Sequence, residues 1–323
     1  MAVEGIRAAP AVAVPTGRRR SNREATVAFW LFVAPLLIGL IVFTFVPIVW
    51  GFLISLSRAR NTVSLGEFIG FQNYVDVLRD GQFRRALVTI LVFTAFIVPI
   101  TYAVALGIAM LVNGAGWGRG FFRTAFFIPT AISYVVASLI WKMSLFSGIP
   151  SGVANIVLFE WFGYEDVVSW IVPRADDPPW FWLVLVTVRL WLQVGFYMII
   201  FIAGLQEIPR SLYEAAYVDG ARTGWRTFRD ITLPMLRNTS IAVLLLLFIN
   251  AFQAFDEFFN ILGGTAATQG NRGLARPPLV YLYEVAFQDQ NYGAGSAGAF
   301  ILTAIIIGVT VVQGRLFGFG RSS

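Results

Sequence analysis

A chain of 323 residues in which 57% are hydrophobic, 15% aromatic and only 13% charged does not have the composition of a soluble domain, and its mean hydropathy of +0.72 makes a bilayer its solvent. Cysteine and histidine are both absent, which excludes disulfides, thiolate metal sites, imidazole ligation and histidine-based acid–base catalysis. The net charge of +6 does not imply nucleic acid, because the arginines are spread between apolar stretches instead of forming one basic face.

Residues 1–26, with Pro10, Pro15, Gly17 and the run Arg18 to Arg20, read as a mobile cytoplasmic tail. A twin-arginine export signal does not fit. The apolar stretch that follows is far longer than a signal-peptide core, and no small-residue cleavage site comes after it. Runs of roughly 20 apolar residues, the length needed to cross about 30 Å of hydrocarbon, fall near 27–56, 86–112, 122–146, 180–204, 239–262 and 294–317. The weak alternation of a transmembrane barrel is missing, so the expected fold is all-α with six transmembrane helices in one domain, 27–317, and a short cytoplasmic end, 318–323. Trp30 and Trp50 stand about 30 Å apart along the first helix, as rings at two membrane interfaces would.

Counting basic residues predicts the orientation. If the amino terminus is cytoplasmic, that side carries fourteen arginines: Arg7, Arg18, Arg19, Arg20, Arg23, Arg119, Arg123, Arg210, Arg222, Arg226, Arg229, Arg237, Arg315 and Arg321. The other side carries eight: Arg58, Arg60, Arg79, Arg84, Arg85, Arg174, Arg272 and Arg276. The bias puts both termini inside. On the outside, the connections 57–85, 147–179 and 263–293 run to about 30 residues each, long enough to imply a role. Residues 153–171 mix apolar and acidic positions and read either as an interfacial helix or helix pair, or as a loop packed on its own bundle.

Within the spans, polar groups are few and so informative. Thr130, Ser133, Tyr134 and Trp141 share a face of the third span and read as helix packing. Pro35, Pro47, Pro99 and Pro129 are expected to kink their helices. Arg189, with Gln193 one turn later and Trp191 and Tyr197 nearby, is an arginine deep in a span and needs a partner. It can lie on a solute path, pair with Glu257, or snorkel outward. Helical spacing puts Asn250, Gln253, Glu257 and Asn260 in one stripe of the fifth span, with Phe252, Phe255 and Phe259 opposite. Such a stripe faces the bundle interior, either to line a path or to bond neighbouring helices. Amide and carboxylate groups can bond sugar hydroxyls, and aromatic rings can cover the apolar faces of a pyranose.

Residues 205–238 form the most charged stretch of their length, with Arg210, Arg222, Arg226, Arg229 and Arg237 against Glu207, Glu214, Asp219 and Asp230. This polar island lies in water on the cytoplasmic side. Its run Glu214-Ala215-Ala216-Tyr217-Val218-Asp219-Gly220-Ala221, followed by Ile231-Thr232-Leu233-Pro234, resembles the "EAA" cytoplasmic loop of binding-protein-dependent ABC importer permeases. Asn250 to Gly264, the aromatic run Tyr281 to Phe287 and Tyr292-Gly293-Ala294-Gly295 resemble the carbohydrate, maltose-type branch of that family, and Phe71-Gln72-Asn73-Tyr74 also resembles the family. The resemblance covers most of 27–317 and implies a type I permease-like bundle in a bacterial or archaeal cell membrane. It implies that Glu214, Ala215, Ala216, Asp219, Gly220 and Ala221 dock on an ATPase, and that sugar crosses by alternating access. Its implied partners are a second, related permease, two ATPase subunits, an extracytoplasmic solute-binding protein and membrane lipid. One departure stands: ten residues separate Gly220 from Ile231, one more than the family's usual spacing.

No Gly-x-x-x-x-Gly-Lys-Ser/Thr loop is present and Lys142 is the sole lysine, so this chain is expected to bind no cofactor itself, ATP and Mg belonging to the partner ATPases. An enzyme is not expected. Two other readings stand: a permease for a polyol or glycerophosphodiester, and a self-sufficient secondary transporter coupled through Arg189 and Glu257. The second would normally show inverted repeats, which are not seen.

Overall fold

The computed structural model describes residues 22–172, 178–220, 224–262 and 275–317, and these are helical apart from turns, loops and two isolated β-bridges. Internal contacts divide the chain into residues 1–51 and 52–323. In the first unit α1 (Asn22–Leu40) passes through a π turn at Ile41–Phe45 into α2 (Val46–Ser55), and the apolar helix from Ala25 to Ser55 is long enough to cross a bilayer. The wider turn lies just before Pro47, which has no N–H to give to the helical ladder. Most of the predicted tail lies outside the described residues.

The second unit contains α3 (Gln72–Arg79), α4 (Gly81–Gly114), α5 (Arg119–Phe127), α6 (Tyr134–Ile140), α7 (Val153–Phe162), α8 (Phe181–Glu207), α9 (Arg210–Val218), α10 (Trp225–Thr227), α11 (Leu233–Met235), α12 (Arg237–Phe252), α13 (Asp256–Leu262), α14 (Pro278–Tyr283) and α15 (Tyr292–Phe317). Helices α4, α8 and α15 are spans without a break. The α8 helix is apolar on all sides and is the most enclosed, burying Val184, Leu185, Val188, Leu192, Tyr197 and Phe201. Its small residues set how closely neighbours approach. A Cβ on Gly195 would stand 1.8 Å from the Phe126 carbonyl oxygen, and one on Gly204 would stand 2.4 Å from Thr239 Oγ1.

Two of the six expected spans are not continuous. In the third, α5 runs through a 3₁₀ turn at Ile128–Ala131, Ile132 is extended, and α6 leaves at 95°. Pro129 was expected only to kink this helix. The backbone turns fully because Ser133 begins a new helix, its Oγ accepting from Val135 N–H at 3.3 Å. In the fifth, α12 ends at Phe252 and α13 begins at Asp256.

At the end of the bundle where α4 begins, a hydrogen-bonded cap joins distant segments. The Asn73 amide donates to the Ser55 and Ser57 carbonyls, and Arg60 bridges to Asn291. Asp80 accepts from Gln82 N–H as the N-cap of α4 and from the Tyr281 hydroxyl. Burial, then the Asp80 carboxylate, pushes the Tyr281 hydroxyl well above its usual range. Arg276 pairs with Glu284 at 2.6 Å over the face of Tyr281. The 147–172 connection folds on itself around Asn155, which is fully buried. Its amide donates to the Ser147, Ile149 and Val168 carbonyls, while Oδ1 accepts from Val168 N–H and Trp170 Nε1. Of the two readings of 153–171, a single helix, α7, packed by its own loop describes it, though Trp161 and Phe162 remain exposed.

Candidate translocation site and coupling loop

The charges that the sequence leaves inside the spans meet. Arg189 Nη1 donates to Glu257 Oε1 at 2.7 Å, with both side chains buried, and its Nη2 donates to the Asn250 carbonyl at 2.5 Å. The Tyr134 ring lies 5.1 Å from the guanidinium carbon, Gln193 is buried one helical turn from Arg189, and the Asn250 amide donates to the Tyr197 hydroxyl at 3.2 Å. Outward snorkelling of Arg189 is therefore corrected: at 5% exposure its head group stays inside, because Glu257 neutralises it there.

The break in α12 supplies part of this cage. In a continuing helix Ala254 N–H would take the Asn250 carbonyl, but it bonds Ala251 O instead. The freed carbonyl is the one that Arg189 binds, so an irregular backbone is tolerated where another group satisfies it. The same break corrects the expected polar stripe. Asn250 and Glu257 reach Arg189, whereas Gln253 caps α12 at an exposed position, and the Asn260 amide turns back to the Asp256 carbonyl. Phe252, placed opposite the stripe, is a core residue. Arg189, Gln193, Asn250 and Glu257 thus form one cluster, and Gln253 stands apart from it.

Tyr134 was read as packing and Tyr197 only as a neighbour. Both complete the cage, and a tyrosine three residues before each of Ala137 and Ile200 carries no pattern that would mark it out. Trp141, from the same expected packing face, donates Nε1 to Thr187 Oγ1 and tilts against Trp191, as a helix contact should. Two polar atoms of the ion pair, Arg189 Nε and Glu257 Oε2, are buried without a hydrogen-bond partner among the described residues, which leaves one donor and one acceptor over.

The charged stretch forms a separate surface. Helix α9 exposes Glu214, Ala215, Tyr217 and Val218, and Asp219 ends it with its N–H on the Ala215 carbonyl. Gly220 follows at φ 80°, a left-handed conformation that a side chain would strain. Ala221 lies outside the described residues. The Tyr213 hydroxyl bonds Thr232 Oγ1 at 3.0 Å, tying α9 to the return strand of the loop. That return contains a π turn at Phe228–Thr232, which holds one residue more than an α turn over the stretch where the spacing to Ile231 is one residue long.

Helices that are long and apolar, two of them broken inside the bundle around a buried charge pair, define a polytopic membrane transport protein. Residues 103–317 match the family described as the inner membrane component of binding-protein-dependent transport systems, and the chain belongs to it. It is 32% identical to the lactose transport system permease protein LacF of Rhizobium radiobacter over 92% of this chain and 96% of that one. It is also 32% identical to the sn-glycerol-3-phosphate transport system permease protein UgpA of Agrobacterium fabrum, over 88% and 93% of the two chains. A bacterial ABC transporter involved in import of the acidic polysaccharide alginate shares the fold, with a TM-score of 0.79 at 21% identity over 93% of this chain and 98% of that one.

Proposed function

We propose that this chain is the permease subunit of an ATP-driven importer of an uncharged carbohydrate, carrying half of the solute path. Relatives named for the transport of lactose, starch degradation products, arabinooligosaccharides and trehalose support the substrate class. The observation that carries the reading is the neutral cage: Arg189 is cancelled by Glu257 while Asn250, Gln193, Tyr134 and Tyr197 surround the pair. The Nε donor and Oε2 acceptor are enclosed in this state, and once the cage opens during transport they match a hydroxyl, which both accepts and donates. An anionic solute would compete with Glu257 for the guanidinium and leave a buried carboxylate alone, at a cost of about 3–5 kcal/mol.

Ala215, Ala216 and Gly220 permit close approach of another surface, and Glu214 and Asp219 add charge to it. In this reading the α9 surface docks on a separate ATPase pair, which holds ATP and Mg, and a second permease completes the path. A binding protein delivers solute on the face opposite α9, so both termini are cytoplasmic. The loop and the broken spans then switch together between inward and outward access.

The test is uptake by cells carrying the whole transporter, with lactose, trehalose and sn-glycerol 3-phosphate offered separately. Uptake of an uncharged sugar is expected, and its loss in Gly220→Pro and Glu214→Lys at unchanged membrane abundance. Proline cannot adopt the positive φ of Gly220. Uptake by a well-expressed Gly220→Pro variant would overturn the docking role, and uptake of glycerol phosphate alone would overturn the neutral solute.

A further inference from the structure

One face of α4 passes from basic to apolar without interruption. Arg84, Val88, Leu91, Ala95, Val98 and Tyr102 recur every three or four residues and so lie along one stripe of the helix. At its head a recess of about 550 Å³ includes Arg84, Arg85 and Val88. One turn further along, a cleft of about 610 Å³ opens between α4, α12 and α15, lined by Leu91, Ala95 and Val98, with Phe248 and Val309 opposite. Val88 and Leu91, which join the two, are 59% and 54% exposed.

Arg84 and Arg85 are exposed and form no ion pair with a described acid. The carboxylate nearest in sequence, Asp80, is committed to Gln82 N–H and the Tyr281 hydroxyl. Arg84 gives one N–H to the Arg79 carbonyl at 3.3 Å, which leaves the rest of its fork free. Both stand in the first turns of a span-length helix, just before the apolar run that begins near residue 86, where the phosphates of a bilayer around that run would lie. Two unpaired guanidinium groups above an apolar trough match one molecule in charge and in shape. The occupant has a phosphate at its head and a hydrocarbon chain below.

We propose that this face holds one anionic phospholipid, its phosphate on Arg84 and Arg85 and one acyl chain along Val88 and Leu91 into the cleft. Arginine is suited to the head because its planar fork binds phosphate through two parallel hydrogen bonds. The apolar lining of the cleft suits the tail, since burying each methylene against protein costs nothing relative to bulk lipid and the head group supplies the selectivity.

The experiment is native mass spectrometry of the purified full-length protein, after exchange into vesicles of phosphatidylglycerol and phosphatidylcholine at equal amounts. One phosphatidylglycerol should be retained in preference to phosphatidylcholine. Arg84→Gln/Arg85→Gln should lower that retention on the order of tenfold or more, since each basic contact near an anionic surface acts separately. Arg58→Gln/Arg60→Gln, at the far end of the same connection, should not. Leu91→Trp keeps both charges but fills the trough, and should weaken retention as well. Equal retention of the two lipids, or no change in Arg84→Gln/Arg85→Gln, overturns the proposal. So does photo-crosslinking from Val88→benzoylphenylalanine in cells if it captures a protein chain instead of lipid, because the face is then a subunit interface.

Discussion

Arg189 and Glu257, 68 positions apart in sequence, are joined at 2.7 Å and bind α8 to α13 through a single buried ion pair. Glu257 is wholly enclosed and Arg189 nearly so, which leaves neither charge with water as an alternative partner. Glu257 is held by Arg189, and Arg189 by Glu257 and the Asn250 carbonyl.

Removing either partner should therefore cost more than removing both. Arg189→Met or Glu257→Leu alone is expected to destabilise by about 3–5 kcal/mol, and the double variant by clearly less than the sum. Thermal unfolding of the four purified proteins in one detergent reads this cycle. Additive losses would mean that the pair is not coupled.

Asn155 is the hub of the 147–172 connection, so Asn155→Ala leaves three carbonyls, one N–H and the Trp170 indole without their partner. A loss of about 1–3 kcal/mol confined to that connection is expected. Hydrogen exchange should quicken in residues 147–170 while α4 and α8 keep their protection. Uniform exchange across the chain would count against a local role.

Gly195→Ala should lower the folded yield, because the new methyl would lie against the backbone of Phe126 and neither helix can yield as a side chain would. Gly107→Ala on α4 meets nothing within 4 Å and is the matched control, expected to be neutral or mildly stabilising. Equal yields would show that α5 and α8 can separate at little cost.

The absence of cysteine makes topology simple to probe. Ser151→Cys should react with an impermeant maleimide on intact cells, and Ser211→Cys only after permeabilisation. Both positions are exposed. The reverse pattern would overturn the arginine count and, with it, the cytoplasmic placement of Glu214.

The spans were legible because a run of apolar residues has one economical solution in lipid, and Arg189 and Glu257 were legible because charge there is rare. The break at Ile132 was half legible: Pro129 and Ser133 signal an end and a start, but hydropathy runs across them unchanged. The break at Gln253 was not legible, since residues 253–255 contain neither proline nor glycine. What satisfies the carbonyl it frees is Arg189, which is distant in sequence. Extrapolating a helical stripe through that point correctly joined Asn250 to Glu257 and wrongly added Gln253. Asn155 was invisible for a related reason, as four of its five bonds are to loop backbone and the fifth to the Trp170 indole, and no periodicity describes them.

The interruption between Phe252 and Asp256 has a mechanical consequence. A straight helix can bend only by giving up backbone bonds inside a medium that cannot replace them. Here one such bond is already exchanged for a side-chain one, and a single guanidinium grips the Asn250 carbonyl in the last turn of α12 and Glu257 in the first turn of α13 together. A change of angle at this joint would leave the helix on each side intact and would turn about Arg189, so a solute hydroxyl that engaged Arg189 or Glu257 would act on that angle directly.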